Sequence, residues 1–395
     1  MKNKQETVKH SKRHLFLFKT VRFIVKPVIK LIFGYHCKAE KGPDRPSFII
    51  SNHNCNLDPA FVTFGFSGHF YFVASEHAFR KGFPSKLLRF VFDPIPIDKA
   101  RMDSTALREM FRRIKAGHSI CIFAEGNRSF NGVTGDNVGI ATAKMVRLSG
   151  ADLITFRFEG VYFTTPRWGK TIRRGKMTGS VTGRYSAEEV KAMTNEQVLE
   201  LIQRGIREYA YDRQKENPTR YRGKKRAEDI ETVLYLCPKC KKIGTIRSEG
   251  NNFSCECGMN ATYTETGFLE GSPAGQLPFS TITDWDKWQT EQLAAMVNNA
   301  GSEPVCTDEN QQLNAVQAAT ENTPVGKGRM SISRTEFHCA GKTFPLKEIK
   351  QFAIVGQMTL LFSLKNGAQY EVCSPFPRSA TKYLEIFNIL QNEEQ

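Results

Sequence analysis

Between residues 45 and 185, short apolar runs alternate with stretches of helical periodicity. The runs Phe48–Ser51, Phe70–Ala74, Ser119–Ala124, Asp152–Phe158 and Lys176–Gly183 have the length of strands. The stretches near 59–66, 84–92, 103–116 and 139–149 space their apolar residues as helices do. Such alternation leaves few ways to bury both kinds of surface. It predicts an α/β domain, a central sheet flanked by helices. Ser186 with Glu189 and Thr194 with Gln197 read as capping boxes. The second opens a helix through Val198, Leu201, Ile202 and Ile206 that closes the domain near residue 215.

The chemistry concentrates in the turn after the first of these strands, Ser51-Asn52-His53-Asn54-Cys55-Asn56-Leu57-Asp58-Pro59. Four residues separate His53 from Asp58. Asp58-Pro59 reads as a helix start, with the Asp as N-cap and Pro at the first helical position. The turn can fold the carboxylate back onto the imidazole. A carboxylate on one ring nitrogen fixes the tautomer and steadies the charge that forms when the other takes a proton. Alone, a His-x4-Asp pair is more often a loop histidine beside a helix cap.

Two further stretches change that balance. Phe123-Ala124-Glu125-Gly126-Asn127-Arg128-Ser129 follows an apolar strand. Gly126 allows close backbone approach to a ligand, and Arg128 offers a fork that matches phosphate. Pro94-Ile95-Pro96-Ile97-Asp98-Lys99-Ala100-Arg101 supplies a second cation, Arg101. Each alone reads more simply as a strand-end turn or a solvated arginine.

In this order and spacing the three stretches resemble the blocks of the glycerolipid and lysophospholipid acyltransferase superfamily, over roughly residues 40 to 210. Asn52-His53 to Asp58 matches the first block. Ile95-Pro96-Ile97-Asp98 matches the second, with Lys99 where Arg often stands. Glu125-Gly126 and Arg128-Ser129 match the third, with Ala124 for Pro and Asn127 for Thr. Asp136-Asn137-Val138-Gly139 departs from a Lys-Gly stretch of the family, and Ile154–Phe158 lacks the proline of its Val-Pro-Val strand.

The resemblance implies an enzyme that moves an acyl group from a thioester, acyl-CoA or acyl-ACP, to a lysophospholipid hydroxyl, with 1-acylglycerol-3-phosphate as the expected acceptor. It implies His53 and Asp58 as catalytic residues and Arg101, Glu125, Gly126, Arg128 and Ser129 as substrate-binding ones. Cys55 could serve as a nucleophile, but the family does not use that position so. The rival reading is a catalytically inactive, membrane-associated scaffold for lipid or protein.

Charge locates the partners. The net charge is +16, and residues 1–34 hold nine Lys/Arg against one Glu. Lys19, Arg22, Lys26 and Lys30 share one face of a helix, with a kink expected near Pro27, and Phe16, Phe18, Phe23, Ile24, Val28, Leu31 and Ile32 fill the rest. Such a helix fits an anionic membrane surface. These cations also interrupt the apolar run, so neither a signal peptide nor a transmembrane helix is expected. The expected place is the cytoplasmic face of a membrane, peripherally bound.

Cys237-Pro238-Lys239-Cys240, fourteen residues, then Cys255-Glu256-Cys257-Gly258 can bring four thiolates to one structural zinc. The remaining six cysteines are scattered, which fits a reducing compartment rather than a disulfide framework. Residues 271–324 carry one Lys against seven acids and read as polar linker from about 301 on, after a helix-like patch from Trp285 to Val297. The short runs Met330–Ser333, Phe352–Val355, Thr359–Leu364 and Tyr370–Cys373, then a helix from Ala380 to Leu390, suggest a pleckstrin-homology-like β module.

The expected division is a basic arm and amphipathic helix at 1–36, the acyltransferase domain at 37–215, a basic linker at 216–232, a zinc-ribbon-like unit at 233–267, a polar acidic linker with one helix at 268–324, and the β module at 325–395. Acyl carrier protein is a candidate partner. Nucleic acid is not, since no aromatic-interleaved basic surface is present.

Overall fold

The computed structural model describes residues 12–75, 92–97, 104–273, 275–317 and 321–393. The chain divides into two units, one of residues up to 166 plus 174–219, the other of 167–173 plus 220–395.

The first unit opens with helix α1, Lys12–Phe33, which carries Pro27 inside it. Its strands are β1 (Tyr35–Cys37), β2 (Ser47–Ser51), β3 (Tyr71–Ser75), β4 (Ile95–Ile97), β5 (Ile120–Ile122), β6 (Val133–Thr134), β7 (Asp152–Glu159), β8 (Met177–Tyr185) and β9 (Glu208–Tyr209). Seven of them form one sheet in the order β1-β8-β7-β2-β5-β3-β4. Its pairs are parallel except β7 with β8. Strands β6 and β9 form a separate antiparallel pair.

Alternation along β2 shows why helices must cover both faces. Ile49 joins a core with Phe33, Tyr35, Phe61 and Phe156, while Phe48 and Ile50 join another with Met110, Val146 and Ile202. The second core is supplied by helices Ser104–Lys115, Ile140–Ser149 and Asn195–Ile206. Both capping boxes form, at Ser186 with Glu189 and at Thr194 with Gln197. The expected helix near 84–92 lies almost wholly outside the described residues.

The second unit holds a four-stranded antiparallel sheet of β10 (Ile246–Glu249), β11 (Asn252–Cys255), β12 (Asn260–Tyr263) and β13 (Leu269–Gly271). A helix, Ile282–Asn299, follows; its Trp285 Nε1 donates to Leu236 O and its Gln289 bonds Tyr235 N and Val233 O. The strands β14 (Cys306–Gln317), β15 (Glu321–Ile332), β16 (Glu336–Cys339), β17 (Lys342–Pro345), β18 (Ile349–Val355), β19 (Thr359–Leu364) and β20 (Gln369–Cys373) then build an antiparallel sheet in the order β17-β16-β15-β14-β20-β19-β18. Helix Thr381–Glu393 ends the chain's described part.

Two linker expectations are corrected here. Residues 306–317, read as polar linker, and 321–332, read as linker only up to 324, are the two longest strands of the sheet. Their inward polar groups find partners far along the chain: Asp308 takes Lys382 and Tyr383, and Gln311 takes Arg378. Buried polar side chains that are bonded cost little, so a strand can look hydrophilic. The basic stretch 216–232 is likewise packed from Tyr221 on, with Tyr221, Ala227 and Ile230 buried. Among the described residues no helix is long and apolar enough to cross a membrane.

Candidate active site

The site gathers at the C-terminal ends of β2 and β5, which are adjacent and parallel with Ile50 opposite Ile122. Open α/β sheets place ligands outside these ends. The sequence separates His53 from Glu125 by 72 residues; the strand pairing brings the two loops together.

Strand β2 ends at Ser51, and the side chain of Asn52 continues its ladder. The Phe158 N–H donates to Asn52 Oδ1 at 2.8 Å, and Asn52 Nδ2 donates to Phe158 O at 2.9 Å. The amide thus imitates a peptide group against β7. Asn52 Nδ2 also reaches Thr134 Oγ1 at 3.3 Å.

From this anchor the chain turns through His53 to Asp58. His53 Nδ1 lies 2.9 Å from Asp58 Oδ2. A carboxylate only accepts, so Nδ1 carries the proton and Nε2 is the basic nitrogen. Asp58 is completely buried. Its Oδ2 also accepts from Asn54 N at 2.6 Å and Cys55 N at 2.9 Å, and the Cys55 thiol donates to Oδ1 at 3.1 Å. The N-cap assignment for Asp58 is corrected: helix α2, Asp58–Thr63, begins at this residue, Leu57 stands at the cap, and no side chain caps it. The carboxylate faces back into the turn, where it holds the loop and the imidazole.

Glu125 holds the same loop from the other side. His53 N–H donates to Oε2 at 3.0 Å and Gly135 N–H to Oε1 at 2.6 Å. Burial pushes its carboxyl up to about 7, against the pull of these two amides. Ser129 N–H donates to His53 O at 3.0 Å, and its hydroxyl accepts from Gly132 N at 2.9 Å. The geometry therefore gives Glu125 and Ser129 loop-holding contacts.

Gly126 takes a positive φ of 70° with open space at its Cβ position, so the turn's conformation is what calls for glycine. Burial lowers the pKa of Arg128, and the nearby Asp58 charge opposes that shift. Arg101 falls outside the described residues. The ring of Phe123 stacks on His53 with centroids 4.5 Å apart.

Sequence reasoning missed Asn52's role, Thr134 and Glu208. Glu208 is buried, accepts from Gly160 N at 2.8 Å and pairs with Arg213 at 3.2 Å. Its backbone meets Thr134 Oγ1, which meets Asn52. Asn52's position beside the histidine was the available signal; nothing local points to the other two.

The four cysteines do assemble. Cys237 Sγ and Cys257 Sγ are 3.7 Å apart, as are those of Cys240 and Cys255, and all four lie within 4.8 Å of one another. Metal–sulfur bonds of about 2.3 Å in a tetrahedron put sulfurs about 3.8 Å apart, so the donor set fits a zinc-sized ion. Positive φ at Lys241 and Gly258 lets each short turn present its sulfurs.

Residues 35–157 match the model of the Acyltransferase family. No curated protein matches the chain. Among solved structures, the crystal structure of the 1-acyl-sn-glycerophosphate (LPA) acyltransferase PlsC from Thermotoga maritima matches at 19% identity and a TM-score of 0.41, covering 50% of this chain and 82% of that one.

Proposed function

We propose, from the acyltransferase domain that this chain carries at residues 35–157, that the protein moves a fatty acyl group from an acyl-CoA or acyl-ACP thioester to the hydroxyl of a lysophospholipid, 1-acylglycerol-3-phosphate above others, at the cytoplasmic face of a membrane. The observation that carries the reading is the His53 Nδ1 to Asp58 Oδ2 contact of 2.9 Å on a buried carboxylate.

The acceptor oxygen attacks the thioester carbonyl carbon as its proton passes to His53 Nε2. Asp58 stabilises the imidazolium. The C–S bond then breaks, and the leaving thiolate recovers the proton from His53. Arg128 binds the acceptor phosphate, the role also proposed for Arg101. Glu125 and Ser129 contribute by fixing the loop.

Membrane attachment is assigned to α1, where Phe16, Phe23, Ile24, Leu31 and the cations Lys19, Lys26 and Lys30 are exposed. The four sulfurs support a structural zinc bound by Cys237, Cys240, Cys255 and Cys257, which would tie the zinc-ribbon-like turns together and take no part in the chemistry. For β14 to β20, numbered one to seven, the order four-three-two-one-seven-six-five with a closing helix supports a pleckstrin-homology-like module.

The test is the purified full chain with labelled acyl-CoA or acyl-ACP and a panel of lysolipids, read by product mass. Diacylated phosphatidic acid is the expected product. Thioester hydrolysis alone, with every lysolipid unchanged, would refute the acceptor class.

A further inference from the structure

Beside the amphipathic helix the first unit holds a cavity of about 240 Å³, lined by Lys26 and Lys30 of α1, Tyr35, His36 and Cys37 of β1, and Phe64 after α2. It is smaller than the roughly 300–1,000 Å³ of pockets for drug-sized ligands, and suits a headgroup-sized one. Lys26 and Lys30 are four residues apart and rise on one side of α1.

Cations lead among the charges at this cavity, although the Asp58 charge acts on Tyr35. Residues 12–33 contain no Asp or Glu. Arg22, a turn earlier, is half-buried, and both it and Lys26 act on the Cys37 thiol. The acid that acts on Cys37 is Glu40, and Arg184 Nη2 holds it at 3.1 Å. The C-terminal carbonyls of α1 would oppose an anion. Two of them are occupied: Lys30 O accepts from Gly34 N at 3.0 Å, and Leu31 O from Arg174 Nε at 2.6 Å. The Tyr35 hydroxyl donates to Phe61 O at 3.0 Å and also bonds the Cys37 thiol.

We propose that this cavity binds a phosphate monoester. Such a group carries about −1.5 to −2 near neutral pH. Lys26 and Lys30, with Arg22 near enough to act on Cys37, match that charge better than they match a monoanionic diester. The phosphate has two sources, a lipid headgroup or a soluble monoester. The lipid source rests on the membrane reading above: Phe23, Ile24 and Leu31, exposed by 82, 60 and 71%, would enter the same bilayer. The soluble source does not.

Cys37 is a local reporter. The full chain is alkylated with a maleimide and the rate at Cys37 is read from its peptide by mass. The arms are phosphatidylcholine vesicles containing phosphatidylglycerol, the same containing phosphatidic acid at matched surface charge, and no vesicles with sn-glycerol 3-phosphate or glycerol. A lipid source predicts labelling at least fivefold slower with phosphatidic acid than with phosphatidylglycerol. Lys26→Ala/Lys30→Ala erases that difference, while Lys41→Ala/Lys191→Ala, outside α1, keeps it. A soluble source predicts protection by glycerol 3-phosphate over glycerol, with the two anionic vesicles alike.

Equal protection in both comparisons, or protection that survives Lys26→Ala/Lys30→Ala, overturns the site. Sedimentation with the vesicles is scored separately. A chain that fails to sediment refutes the membrane reading and the lipid source, and the glycerol 3-phosphate arm then decides the site.

Discussion

The turn from Asn52 to Asp58 and the turns around Cys237 and Cys255 each gather ionisable side chains in a tight space, and they balance charge in different ways. In the first, the chain supplies the balance itself. The buried carboxylate of Asp58 receives the imidazole, two backbone amides and a thiol. In the second, four sulfurs lie within 4.8 Å of one another, two of the pairs at 3.7 Å. Four thiolates so close repel unless a cation lies among them. The active-site turn should therefore survive without metal, and the cysteine turns should not.

The largest expected effect breaks that comparison most directly. Structural zinc contributes on the order of 10 kcal/mol or more to small zinc domains at neutral pH. Metal analysis of the full chain is expected to find about one zinc. A strong chelator should abolish hydrogen-exchange protection across 233–271 while 47–51 and 152–159 stay protected. Undiminished protection at Cys237 to Cys257 in metal-free protein would refute the metal reading.

Next is the His53–Asp58 pair. Removing a general base costs about 10²–10⁴ in rate. His53→Ala and Asp58→Ala should each lower kcat by about 10³, roughly 4 kcal/mol, with an unchanged circular dichroism spectrum. Activity within tenfold of the parent would exclude His53 as the base.

Glu125 sharpens the comparison, because the loop it holds needs its charged form. Ionised, it accepts both the His53 and Gly135 amides; protonated, it gives up one acceptor. With a carboxyl at about 7, kcat/KM should fall about tenfold per pH unit below that value. Stability runs the other way. A folded pKa raised from 4.5 means a contribution fully present below pH 4.5 and lost as pH rises through about 7. Thermal melts should show Glu125→Gln gaining on the parent between pH 5 and 8. A constant difference in melting temperature would mean that Glu125 is not ionising in this window.

Arg128 is expected to matter by less. Arg128→Lys keeps the charge and loses the bidentate fork. The Michaelis constant for a phosphorylated acceptor should rise about tenfold, or ~1.4 kcal/mol. Parity between Arg128→Lys and the parent would take Arg128 off the phosphate.

The same two regions mark what a sequence makes legible. The His53–Asp58 contact and the cysteine turns are local, formed by residues a few positions apart, so spacing reveals them. Strands β2, β5 and β7 are legible because their apolar runs are buried on both faces, whereas β1 and β4, three residues each at the two edges of the sheet, are too short to signal. Glu125's hold on the His53 amide is not legible, because it depends on β2 lying beside β5. The triplet Asn52, Thr134 and Glu208 fails for the same reason. Strands β14 and β15 are obscured differently: Asp308 and Gln311 face inward and meet Lys382 and Arg378, so the pattern that signals a strand is polar on both faces. Only the register of a distant helix and loop makes those residues buriable.

The smallest effect concerns Cys55, and it separates the two ways a thiol can serve this turn. Cys55 lies two residues from His53, so a covalent route would acylate it before the acceptor arrives. The contacts give it another task. Its thiol donates to Asp58 Oδ1 at 3.1 Å while its sulfur accepts from Leu57 N at 3.3 Å. It is buried, and desolvation together with the Asp58 charge holds its pKa well above the usual thiol value. A thiol kept neutral is a poor nucleophile and a serviceable donor. A hydroxyl can make the same two bonds, so Cys55→Ser should retain activity. Cys55→Ala removes both bonds; sulfur is a weak donor and a weak acceptor, so the loss is worth about 1 kcal/mol and should lower kcat a few-fold with little change in KM. Direct attack by the acceptor also predicts sequential kinetics and no acyl label on denatured protein. An acylated Cys55 peptide, with activity lost in Cys55→Ser, would replace direct transfer by a double displacement.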